Sequence, residues 1–203
     1  MLKGTIDGIL AGLMIGIGGT VLLSVGGGIP GACFFTIALL IICYRGYSLY
    51  TGKIGFMAYN HKGSDFVTLM TGLFGNVIGT LLSGLAVSFA LSDRAVLAKT
   101  MCEAKLDDNL LGVFIKAIFC GILMYLAVAV FKENKSPLAI FFCVPVFILS
   151  GFEHSIADMF YFFTARIFSL EMLVFLVIVI LGNTVGGLLF PTLTLLKGKK
   201  KEG

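Results

Sequence analysis

The chain has 203 residues, 58% of them hydrophobic and 13% charged, with a mean hydropathy of +1.04. A soluble domain is about 25% charged, so a soluble globular enzyme, a nucleic-acid-binding module and a disordered linker are excluded, and lipid is the expected solvent. The net charge of +4 is no nucleic-acid footprint, because four of the fifteen basic residues crowd into the last seven positions.

A helix needs about 20 apolar residues to cross a hydrocarbon core about 30 Å thick. Six runs qualify: residues 8–25, 32–50, 66–91, 110–131, 137–164 and 168–192. The first run has no basic segment ahead of it and no small-residue cleavage site behind it, so it is expected to be a retained helix rather than a signal peptide. Gly26-Gly27-Gly28-Ile29-Pro30 separates it from the second. Turn and charge signals fall at Lys53–Asp65, Ser92–Asn109, Lys132–Ser136 and Thr164–Ser169, and His61 beside Lys62 is expected to be solvated. With Arg45 and Lys116 left out as lying in or at the edge of spans, nine Lys fall on one side, against Arg94, Lys99, Lys105 and Arg166 on the other. The richer side faces the cytoplasm, and six spans bring both termini there. Residues 1–203 are thus expected to form a single multi-pass domain of the cell's inner membrane, with a basic cytoplasmic tail at 194–203. Cys33, Cys43, Cys102, Cys120 and Cys143 show no CxxC spacing and read as small apolar side chains, not as a disulfide framework or a metal site. No cofactor is expected.

The third span carries Gly75-Asn76-Val77-Ile78-Gly79 and the sixth Gly182-Asn183-Thr184-Val185-Gly186, 107 residues later. Spans two and five match weakly at an offset near 105, Arg45-Gly46-Tyr47-Ser48-Leu49 against Ser150-Gly151-Phe152-Glu153-His154. Two halves of three spans, about 8–91 and 110–193, must lie upside down relative to one another, because three is odd. Inverted repeats of this kind are typical of channels and transporters and place a pathway at the repeat interface. Gly75, Asn76, Gly182 and Asn183 themselves read as helix packing through small residues.

Spans two and five are also interrupted, by Arg45, Gly46, Ser48, Thr51 and Gly52 in one and by Ser150, Gly151, Glu153, His154, Ser155 and Asp158 in the other. Non-helical backbone at membrane depth is tolerated only where protein or a water-filled cavity surrounds it. Two broken helices in matched positions, with ionisable residues in one, therefore point to a binding site. The expected fold is an all-α integral membrane protein of six transmembrane helices in an inverted 3+3 repeat, with helices 2 and 5 broken.

The run from Ser150 to Met159, SGFEHSIADM, closely resembles the signature of the formate/nitrite transporter family, SGFEHSIANM, and Leu49-Tyr50-Thr51-Gly52 looks like that family's LFTG segment. Both GNxxG runs fall where the family has them, and the resemblance covers about residues 8 to 193. It implies an aquaporin-like fold, a homopentamer with one pore per protomer, and passage of small monovalent anions such as formate, nitrite, acetate, lactate or hydrosulfide. It also implies that His154 faces Thr51, that Phe35, Leu39 and Phe147 form one apolar slit, and that Leu49, Tyr50 and Met124 form the other. By the same resemblance Lys105 lends positive potential to the outer vestibule. Glu153 reads as satisfying backbone N–H groups in the helix break.

A bare anion in a dry slit faces a desolvation cost of many kcal/mol. Either a positive vestibule attracts it and His154 supplies a proton, so that a neutral acid crosses, or a charged His154 and aligned helix N-termini hold it while it loses its water. Histidine, with an ordinary pKa of about 6.5, suits both roles; the first is favoured and makes the proton a second passenger. Three positions depart from the family pattern. Asp158 replaces an asparagine four residues after His154, where it is expected to favour the imidazolium. Cys120-Gly121 replaces a Cys-Asn pair, and Arg45 replaces a small residue and is expected to pair with Asp158 or Glu153 or to snorkel. No HExxH or GxSxG constellation suggests an intramembrane enzyme. The alternative is a pore for small neutral solutes (water, glycerol, ammonia), since Lys99 and Lys105 are countered by Glu103, Asp107 and Asp108.

Overall fold

The computed structural model describes residues 2–59 and 62–199, with side chains described as far as Lys197. The expectations for His61 and for the end of the basic tail lie outside them. In lipid, a backbone N–H or C=O must find its partner within its own segment, and the apolar runs accordingly wind into helices. Helix α1 (Leu2–Ser24) runs into Gly26, Gly27 and Gly28, all at positive φ, where glycine alone is unstrained. Helix α2 (Gly28–Arg45) then returns against α1. After a non-helical stretch come the short α3 (Tyr50–Lys53) and a 3₁₀ turn (Ile54–Ala58). Next are α4 (Gly63–Ala90), α5 (Ser92–Leu106) and α6 (Leu110–Asn134), the last capped by the Asn109 side chain accepting from Gly112 N–H at 2.7 Å. Two short helices, α7 (Leu138–Leu149) and α8 (Ser155–Thr164), precede α9 (Leu170–Lys199).

Among the described residues, five helices (α1, α2, α4, α6 and α9) are long and apolar enough to cross a membrane. The run 137–164 is not one such helix: it divides into α7 and α8 around residues 150–154. The polar stretch Ser92–Asn109, read from its charges as a break, is mostly the helix α5, which packs against α8.

Helix α6 packs on α7 and α9 as α1 packs on α2 and α4. The glycine runs explain how closely these helices approach. A Cβ on Gly75 would sit 2.8 Å from Gly8 Cα, and one on Gly79 would sit 2.9 Å from Gly12 Cα. Across the other pair, a Cβ on Gly182 would lie 2.7 Å from the Phe114 carbonyl oxygen. No other residue permits this backbone contact.

Candidate functional site

The site is built where the chain leaves helical geometry. Gly46 and Gly151 take the left-handed conformation, at φ 71° and 66°. Each stops a helix in the same way. Tyr47 N–H closes on the Ile42 carbonyl at 3.0 Å, and Phe152 N–H on the Phe147 carbonyl at 2.9 Å, as helix C-caps do. The chain then runs extended through Leu49 and His154 before the next helix begins. Groups freed by these interruptions are taken up by Asn76 and Asn183. Asn76 donates to the carbonyls of Gly8 at 2.9 Å and Ser48 at 2.7 Å, and accepts from Tyr50 N–H at 3.0 Å. Asn183 donates to the carbonyls of Ala117 at 2.9 Å and Glu153 at 2.8 Å, and accepts from Ser155 N–H at 2.9 Å.

The two interruptions meet at His154 and Thr51. His154 Nε2 lies 2.8 Å from Thr51 Oγ1, with both residues buried. The other ring nitrogen, Nδ1, accepts from Ala157 N–H at 3.1 Å and so caps α8. A nitrogen that accepts a hydrogen bond carries no proton, so this contact assigns the neutral Nε2–H tautomer, which donates to Thr51. A second proton, on Nδ1, would set two donors face to face. Phe147 stacks on the imidazole, with centroids 5.5 Å apart and planes 20° apart.

Next to the histidine is a cavity of about 370 Å³ lined by Phe35, Phe147, Glu153, His154, Asp158 and Lys105, among others. Lys105, in the last turn of α5, binds two carboxylates at once: it donates to Glu153, and its Nζ is 3.1 Å from Asp158 Oδ1. Burial works against the ammonium, but Asp158 and Glu153 outweigh burial and hold the Lys105 pKa above the usual lysine range. At the rim, Lys116 pairs with Asp108, and that hydrogen bond holds the Asp108 carboxyl below the usual range.

Several expectations change here. Lys105, set in the sequence against Glu103, Asp107 and Asp108, pairs with Glu153 and Asp158. Asp158 pairs with Lys105, not with His154. Glu153 spends its carboxylate on Lys105, and only its backbone carbonyl serves the helix break. Both carboxylates being occupied, Arg45 pairs with neither and is exposed at the end of α2. Phe35 and Phe147 meet edge to face at 6.3 Å on the first cavity. Leu39, one turn on from Phe35, instead shares a second cavity of about 250 Å³ with Leu49, Gly52, Lys53, Lys132 and Lys135. Tyr50 turns its hydroxyl to Thr184 Oγ1 of α9 at 2.8 Å, while Met124 is buried in the core. Lys116, set aside as a span-edge residue, lines the first cavity; its position six residues into an apolar run is the signal for it.

The family model of the formate/nitrite transporters matches residues 1–196. The chain belongs to this family. As a formate/nitrite transporter family member it is 29% identical over 138 residues to the nitrite transporter NirC of Escherichia coli (strain K12), covering 62% of this chain and 52% of NirC. To NirC of Salmonella typhimurium it is 30% identical over 144 residues, 62% of this chain and 51% of that one. The chain spans about half the length of the curated relatives it matches. Two solved structures share its fold. An FNT family ion channel has a TM-score of 0.85 at 24% identity, covering 97% of this chain and 90% of that one. A pentameric formate channel with formate bound has a TM-score of 0.84 at 22% identity, covering 98% and 97%.

Proposed function

We propose that this chain is a pore for small monovalent anions of weak acids (formate, nitrite, hydrosulfide or similar), which cross together with a proton beside His154. The observation that carries this reading is the hydrogen bond from His154 to Thr51, which joins the two interruptions beside a cavity that Lys105 and Lys116 also line. An anion that enters the cavity beside Lys105 meets stacked Phe147 and His154 and then the apolar lining at Leu39 and Leu49. A bare charge is disfavoured there and a neutral acid is not.

On this reading α2 with α3, and α7 with α8, are two broken membrane helices in an aquaporin-like inverted 3+3 repeat. The matched roles of Asn76 and Asn183 support it. The repeats cover about 8–91 and 110–193 of a single membrane domain, both termini lie on the cytoplasmic face of the inner membrane, and the basic tail meets lipid headgroups. Exposed Phe34, Phe74, Phe89 and Phe142 suit lipid or neighbouring subunits, and a homopentamer follows the formate channel that shares the fold. The reading is transport rather than catalysis, with no bound cofactor.

The test is uptake of formate, nitrite and hydrosulfide into proteoliposomes at about pH 5.5 and 7.5, either side of the ordinary histidine pKa, with wild type and His154→Ala. Saturable uptake that rises with acidity and changes in the variant is the expected result. Water or glycerol flux without anion flux would favour the neutral-solute pore, the reading suggested by the three carboxylates that offset Lys105 and Lys116 at the cavity.

A further inference from the structure

We propose that Asp158 holds a proton at rest and hands it to the weak-acid anion entering the cavity, so that Asp158, and not His154, is the proton donor of the pathway. The inference rests on the anion-pore reading above and adds the donor to it.

Three features of the cavity lead here. The first is a charge mismatch. Glu153 and Asp158 are 4% and 2% exposed and share the single ammonium of Lys105. Two buried carboxylates on one cation leave a net negative charge in a poorly solvated place, and like charges so close do not both stay ionised. The second is that the two carboxyls are unequal. Each meets Lys105 through one oxygen, Glu153 through Oε2 and Asp158 through Oδ1 at 3.1 Å, and they differ in the oxygen left over. Asp158 Oδ2 is buried without a hydrogen-bond partner. An ionised oxygen left bare in this way is costly, and a protonated one much less so. The third is the state of His154: with Nδ1 occupied by Ala157 N–H, the ring has no acidic proton to give.

The other groups around Asp158 fit a neutral carboxyl. Lys105 and Cys102 face it from α5 and Cys120 from α6, Glu153 and His154 flank it before α8, and Tyr161 follows it on α8 itself. The Asp108–Lys116 pair stands at the rim of the same cavity. Among these only Lys105 is a cation close to Asp158, and Glu153 already engages it.

In the transfer, the O–H bond of Asp158 breaks and a new bond forms to the same proton on an oxygen of formate or nitrite, or on the sulfur of hydrosulfide. The last torsion of an aspartate is soft and roughly two-fold, so either carboxyl oxygen can be presented to the cavity that Asp158 lines. The neutral acid moves past Phe147 and His154, and the negative charge stays behind on Asp158. A proton taken from water at the cavity then restores the carboxyl, and the hydroxide left behind returns to the bulk on the entry side. Charge is conserved, and each anion crosses with one proton.

Two measurements test this. Infrared difference spectra of the wild-type protein at neutral pH should show the carbonyl stretch of a protonated carboxylic acid, and Asp158→Asn should lack it. In proteoliposomes, Asp158→Asn should leave only acid formed in bulk water, so its uptake should fall about tenfold per pH unit above the acid's own pKa. The wild type should fall far less steeply, and Glu153→Gln, which leaves Lys105 to Asp158 alone and so favours the ionised carboxylate, should steepen toward the Asp158→Asn profile. A missing carbonyl band, or one unchanged in Asp158→Asn, overturns the proposal, as does an identical pH profile in a wild type and an Asp158→Asn that both move anions. A wild type that moves no weak-acid anion overturns the transport reading and the transfer step with it, while the carbonyl band still decides whether Asp158 holds the proton.

Discussion

Asn76 and Asn183, on different helices and 107 residues apart, make the same three hydrogen bonds. Each donates to a carbonyl of the neighbouring long helix and to one of an interrupted stretch, and each accepts the N–H two residues further along that stretch. Both are wholly buried. An extended segment inside an apolar core would otherwise strand these backbone groups, which is why membrane proteins tolerate such segments only where protein surrounds them. The glycines beside each asparagine have the complementary role: Gly75 and Gly182 bring the helices close enough for the amide to reach across.

Replacing either asparagine should therefore cost stability to a similar degree. Asn183→Val strands Glu153 O and Ser155 N–H, and Asn76→Val strands Ser48 O and Tyr50 N–H, at about 1–3 kcal/mol for each unsatisfied group. Both variants should lower the melting temperature of the detergent-solubilised protein. An effect confined to one of them would count against equivalent roles.

Thr51 orients His154 with one hydroxyl. Thr51→Ser keeps that hydroxyl and should transport much as the wild type does. Thr51→Val, nearly the same shape, leaves Nε2–H without its acceptor and so frees the ring on that side. Uptake should drop several-fold in the valine variant, and its melting temperature should fall by no more than one stranded donor costs, about 1–3 kcal/mol, since the cap from Nδ1 to Ala157 remains. Equal uptake by the two variants would show that the contact does not position the histidine.

Much of this architecture is legible in the sequence, and the illegible part has a physical pattern. Runs of apolar residues give the long helices, and the paired GNxxG segments give the α1–α4 and α6–α9 contacts, because helix approach is a local property of small residues. Gly46 and Gly151 mark the interruptions for the same reason. Charge partners are another matter. Lys105 and Glu153 are 48 residues apart, and only the docking of α5 on α8 brings them together. Since α5 is polar, its sequence reads as a loop, which hides the element that delivers the lysine. The tautomer of His154 is equally invisible, being set by one backbone N–H in a helix whose start depends on that same side chain.

Removing Lys105 tests how far the carboxylates depend on it. Lys105→Met takes away the cation that two buried acids share, and breaking a buried pair from one side costs about 3–5 kcal/mol. Part of that loss should return in the double variant Lys105→Met/Glu153→Gln, which leaves one acid able to stay neutral. A double-mutant cycle on melting data reads the coupling directly. Strict additivity would mean that Lys105 and Glu153 do not act as a unit.

The second cavity is the more positive of the two. Lys53, Lys132 and Lys135 line it, with Lys132 Nζ 3.6 Å from the Phe56 ring centroid and Lys135 Nζ 5.8 Å from that of Phe131. The negative faces of these rings attract the two ammonium groups. Their field should raise the local concentration of anions at this cavity, whereas Glu153 and Asp108 offset the two lysines of the first cavity, with Asp158 neutral. Surface fields are screened within about 10 Å at 0.1 M salt, so the contribution should show in salt dependence before it shows in maximal rate. Replacing all three lysines with glutamine should lower anion flux entering from this side several-fold at low salt. The difference from wild type should shrink as salt rises, and flux entering from the first cavity should change less. A deficit that salt does not alter would place these lysines in packing rather than in attraction of the anion.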